Sequence, residues 1–133
     1  MAVHRSEAQR RATIEGPGLG LNTTRSQMEA EYRAGHGSLR VPLRSDLSSS
    51  DLMTLARRHT RRRYTDALLQ LIVIHPHASN RVLSGVFSLG KSNPGVLNAI
   101  ATSGRASRHL LTKLRRSKWS SVREHASLAL EAG

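Results

Sequence analysis

A chain of 133 residues with 21 basic and 9 acidic side chains carries a net charge of +12. Such an excess repels itself unless it is solvated or met by an anionic partner. One Phe, one Trp and two Tyr leave the core to aliphatic residues, which suits helix packed on helix better than stacked strands. The absence of cysteine excludes disulfides, thiolate zinc sites, iron–sulfur clusters and a thiol nucleophile.

Residues 1–44 read as a flexible basic tail. Gly16-Pro17-Gly18 and Gly35-His36-Gly37 interrupt any periodic pattern, and one short helix is expected over Ser26–Arg33. Met1–Glu15 has no apolar stretch of the kind that directs secretion. The longest apolar run, Leu71 to Ile74, ends at His75-Pro76 and falls far short of the roughly 20 residues of a membrane helix. A cytoplasmic protein without a membrane span is the expectation.

From Ser45 onward three segments share one shape: Ser48 to Ala56, Ala78 to Val86 and Ala106 to Leu114. Each has a small residue, a Ser, two further residues, an apolar pair, a hydroxyl and another apolar position. The pairs are Leu52-Met53, Val82-Leu83 and Leu110-Leu111, and the hydroxyls are Thr54, Ser84 and Thr112. The Ser is placed to cap a helix by accepting from an orphan first-turn N–H, and Gly90 is read as a left-handed closing residue. A second helix follows each first one: Tyr64–Ile74, then Pro94–Ala101 behind Asn93, then Ser121–Glu131 with Ser121 and Glu124 as a capping box. Such short helices are marginal alone and gain stability by sealing their apolar stripes against neighbours.

The expected fold is therefore all-α, a helical repeat domain over 45–133 with units 45–75, 76–103 and 104–133. The later units resemble the variant leucine-rich repeat, a relative of HEAT-type helical repeats. His75-Pro76-His77-Ala78-Ser79 stands at the family's turn, Ser120-Ser121-Val122-Arg123-Glu124-His125-Ala126 resembles its second element, and Pro94-Gly95-Val96-Leu97 does so loosely. Gly104 stands where the last unit would have the turn proline. The resemblance covers about two-thirds of the chain and implies a short right-handed superhelix of about three helix pairs used for binding. Some members carry an iron–sulfur cluster, for which this chain has no cysteine.

Stacked repeats place equivalent loops on one edge. The loops between first and second helices hold Arg57, Arg58, Arg61, Arg62 and Arg63, then Lys91, then Arg115, Arg116 and Lys118. Rows about 10 Å apart lie close to the ~8 Å screening length, so a shared polyanion would relieve their repulsion. Tyr64 and Trp119 border the edge and are candidates for stacking on a base. The competing readings are a solvated loop for the arginines and a packed indole for Trp119.

No catalytic group, metal site or cofactor is expected. His75 and His77 form the one close His pair, lack a third ligand and read as exposed turn residues. His109 and His125 read as surface or packing-edge residues. No nucleophile elbow or phosphate loop is present. A binding module for an acidic protein partner is the first expectation, a nucleic-acid binder using the same edge the second, and an enzyme accessory subunit the third. The C-terminal helix, with Leu128 and Leu130 and no polar cap, suggests a homo-oligomer or a partner there.

Overall fold

The computed structural model describes residues 18–132, which fold into seven α-helices and, among the described residues, no strands. They are α1 (Arg25–Ala34), α2 (Ser49–Arg58), α3 (Thr65–Ile74), α4 (Asn80–Gly90), α5 (Pro94–Ala101), α6 (Arg108–Leu114) and α7 (Ser120–Ala132). Residues 1–17 of the expected tail lie outside the described residues.

Residues 18–44 are not a tail. Leu19, Met28, Leu39 and Leu43 are buried in the same aliphatic core as the later helices. Leu19 and Leu43 meet in an isolated parallel bridge, with the Leu19 N–H donating to Pro42 O (2.9 Å) and the Arg44 N–H to Leu19 O (2.8 Å). Gly18 is required here: its φ is +153°, and a Cβ would lie 2.7 Å from the Pro42 carbonyl. Helix α1 begins one residue before the expected helix because Thr24 forms a full capping box with Gln27. Gly35, which looks like a breaker, caps the end of α1, where a Cβ would meet the Ser38 carbonyl.

Three serines start the first helices. Ser48 accepts from the Asp51 N–H, Ser79 from Val82 and Ser107 from Leu110, each satisfying one orphan donor. In α2 the cap is Ser48, one residue ahead of the expected Ser49, because Asp51 reaches back to the Ser48 N–H and completes a capping box. Counted from the caps, Leu52 corresponds to Leu83 and Leu111, and Leu55 to Val86 and Leu114. All six are buried. The expected equivalence of Leu52 with Val82 and Leu110 is thus off by one position, and Met53 is only partly buried.

Three expected terminal signals also differ. Gly90 is the last residue of α4 and is followed by Lys91 in right-handed geometry. Its smallness serves close approach instead: a Cβ there would lie 2.8 Å from Val96 Cγ1 and 3.1 Å from Leu69 Cδ1. Helix α3 starts at Thr65, with Tyr64 at the cap position making no side-chain cap bond. Ser121 is inside α7 rather than at its cap, and its hydroxyl accepts from Asn98 Nδ2 at 3.1 Å.

Helix α2 packs on α3 and α4; α3 on α4 and α5; α5 on α6 and α7; and α6 on α7. Four of the hydrogen bonds that tie these elements together recur at a separation of 27 or 28 residues. Ser49 Oγ donates to His77 O (2.6 Å, 28 apart), and Asn93 Nδ2 to Asp66 Oδ2 (2.9 Å, 27 apart). The Ser107 N–H donates to Asn80 Oδ1 (2.9 Å, 27 apart), and His125 Nδ1 to Asn98 Oδ1 (2.8 Å, 27 apart). Fully burying a leucine contributes about 1.5–3 kcal/mol; the hydrogen bonds add less and fix which elements meet.

Candidate anion-binding edge

The α2–α3 turn is built around a buried pair. His59 and Tyr64 are 1 % and 0 % exposed, and His59 Nδ1 lies 2.5 Å from the Tyr64 hydroxyl. Thr65 closes the turn: its hydroxyl accepts from the Arg62 N–H at 2.9 Å and donates to His59 O. With both rings turned inward, Arg61, Arg62 and Arg63 are left on the outside and exposed. Arg61 adopts φ +57°, a left-handed conformation that costs an L-residue about 1–2 kcal/mol.

Tyr64 is therefore core, not a stacking surface, which corrects its sequence assignment. Its neighbours in sequence are Arg63 and Thr65, and nothing local distinguishes it from an exposed loop residue. Burial pushes the Tyr64 phenol above its usual range, so it stays protonated. Burial, followed by the charges of Arg58, Arg25 and Arg62, holds the His59 imidazole below its usual value, so it is neutral. Among the described residues His59 Nε2 has no hydrogen-bond partner.

Arg57 and Arg58 end α2 and are exposed. Arg58 is partly diverted, its Nη1 donating to Leu21 O at 2.7 Å and pinning the N-terminal segment. Lys91 follows the last turn of α4, and Arg115 follows that of α6.

One groove gathers candidates from separate turns. Lys91, Arg116, Lys118 and Trp119 line a cavity of about 290 Å³, joined by Lys113 and Phe87 and floored by Leu97 and Leu114. The five arginines of the α2–α3 turn and Arg115 are not among its lining residues. The hydrogen bond between Asp66 and Asn93 nevertheless links the start of α3 to the start of α5. Lys118 Nζ sits 4.7 Å from the centroid of the half-buried Trp119 ring, and Lys113 Nζ 6.0 Å from that of Phe87. Both fall within cation–π range. Among the described residues no carboxylate lines this groove. Sequence reasoning missed Lys113 and Phe87, which stand on the helices rather than in the turns. One signal was available: Lys91, Lys113 and Lys118 are the chain's three lysines, and all three converge here.

Of the paired turn histidines, His77 is exposed as expected and His75 is not. His75 is 4 % exposed; its Nε2 donates to Arg44 O at 2.8 Å and its Nδ1 accepts from the His77 N–H at 3.0 Å. His77 Nδ1 donates to Leu47 O at 2.7 Å. Both rings clamp the α3–α4 turn onto residues 44–47, and neither His75 nitrogen is left for a metal. From the connection between α5 and α6, Arg105 Nη1 donates to the carbonyls of His75 and Ala78. Among the described residues no group of three His, Asp or Glu is placed to hold a metal ion, and no helix is long and apolar enough to cross a membrane.

No protein-family model, curated protein or solved structure matches the chain.

Proposed function

We propose that this chain is a non-catalytic helical-repeat binding module that engages an acidic protein partner through its basic edge. The observation that carries this reading is the convergence of Lys91, Arg116 and Lys118, from two different turns, on one groove without a carboxylate. Bringing like charges together opposes folding by self-repulsion, and an anionic ligand removes that cost on binding.

The repeat part of the proposal is a short right-handed superhelix of three helix pairs, α2–α3, α4–α5 and α6–α7, akin to variant leucine-rich repeats. Its support is the common cap-relative spacing of buried residues and the recurrence of inter-element hydrogen bonds at 27 to 28 residues. The second helices follow one another in contact, α3 on α5 and α5 on α7, as a stack requires.

Nucleic acid is the second reading, because the same cations suit phosphates. A single strand would also use open aromatic faces for its bases. Tyr64 is buried, which leaves Trp119 as the single expected stacking face and favours the acidic protein.

Calorimetric titration of the full chain with poly-L-glutamate and with oligothymidylate tests the choice. The acidic polypeptide is expected to bind more tightly, and an Arg61→Glu/Arg62→Glu/Arg63→Glu variant to lose about tenfold in affinity. Unchanged affinity in that variant would remove the arginine turn from the binding edge.

A further inference from the structure

The groove between the α4–α5 and α6–α7 turns has a chemistry that the rest of the edge lacks. Eighteen of the 21 basic residues are arginine, and a coding bias toward arginine would scatter them without regard to function. The three lysines do not follow that trend, yet all of them line this one groove. An ammonium is a compact charge on a flexible stem, suited to following carboxylates that are not held in one fixed plane.

Between the lysines the walls are apolar. Phe87 and Trp119 flank the opening, both partly buried against the core, above the buried Leu97 and Leu114. A volume of about 290 Å³ admits one large side chain rather than a run of stacked bases. In the unbound chain Lys113 and Lys118 rest over the two rings. An arriving carboxylate would draw the ammoniums outward and expose the aromatic walls to an apolar ligand group.

We infer that this groove receives an acidic segment of a partner protein through a single apolar anchor side chain, with Lys91, Lys113 and Lys118 holding the carboxylates on either side of it. The inference rests on the binding role proposed for the basic edge and specifies its ligand. Charge complementarity selects the flanks, and the Phe87–Trp119 opening selects the anchor. Arg116 stands on the same rim and adds a fork able to take a carboxylate with two parallel hydrogen bonds.

The test is fluorescence anisotropy with the full chain and two labelled peptides, Glu-Glu-Glu-Leu-Glu-Glu-Glu and the same peptide with Ser for Leu. The Leu peptide is expected to bind about tenfold more tightly, the effect of burying most of one aliphatic side chain. A Lys91→Glu/Lys113→Glu/Lys118→Glu variant is expected to lose at least about tenfold for both peptides; its lysines are exposed, and circular dichroism checks its fold. The comparison of the two peptides needs no variant. Equal affinity for them overturns the anchor, as does tighter binding of oligothymidylate in the same groove. If the lysine variant keeps its affinity while Arg61→Glu/Arg62→Glu/Arg63→Glu loses it, the groove falls and the wider edge stands. If neither variant changes binding, both fall.

Discussion

His59 and Tyr64, five residues apart, share a hydrogen bond of 2.5 Å inside the core while the arginines between them face solvent. Their rings meet edge to face with centroids 5.5 Å apart. The turn that presents Arg61, Arg62 and Arg63 is held by this inward pair. Tyr64→Phe keeps the packing and removes the hydroxyl, leaving both His59 nitrogens without a partner. Chemical denaturation should show a loss of about 1–3 kcal/mol.

The same histidine gives stability a pH dependence. Its folded pKa is depressed, chiefly by burial, so between the folded value and the unfolded value near 6.5 the unfolded chain binds more protons. Stability therefore rises with pH across that window and is lost as pH falls below about 6.5. Thermal melts of the wild type and a His59→Gln variant check this. The acid-side loss should be smaller in the variant.

Ser48, not Ser49, caps α2. Ser48→Ala should cost about 1 kcal/mol in a denaturation experiment. Ser121→Ala removes no cap, because Ser121 lies within α7, and should cost less than Ser48→Ala.

Gly90→Ala would raise helix propensity by nearly 1 kcal/mol on an exposed helix. Here the added methyl meets Val96 and Leu69, and forcing these apart costs about 1–3 kcal/mol. Net destabilisation is the expected result in a thermal melt. Arg61→Gly points the other way. It relieves the positive φ and should raise stability by about 0.5–1 kcal/mol while removing one charge from the binding turn.

Local signals were readable from the sequence where a residue's role depends on its immediate neighbours. Asn93 with Pro94, and Ser79 and Ser107, start helices where the pattern places them. The off-by-one in α2 arose because three consecutive serines offer equivalent hydroxyls, and the choice falls to Asp51, whose carboxylate reaches only Ser48. Roles set by distant contacts were not readable. Leu19 and Leu43 pair across residues that contain α1. The burial of His75 depends on Arg44 and His77, and that of Tyr64 on His59. The candidate site was half legible: turn positions identified Lys91, Arg116, Lys118 and Trp119, whereas Lys113 and Phe87 come from helix faces whose meeting only the fold determines.

Trp119 is the chain's single tryptophan and stands in the groove, so its emission reports occupancy without a label. Titration of the full chain with poly-L-glutamate at low salt should shift that emission saturably, and added salt should reverse the shift. Emission that stays constant while calorimetry shows poly-L-glutamate binding would contradict an acidic partner bound in this groove, and no binding by either measurement would contradict an acidic partner at the basic edge.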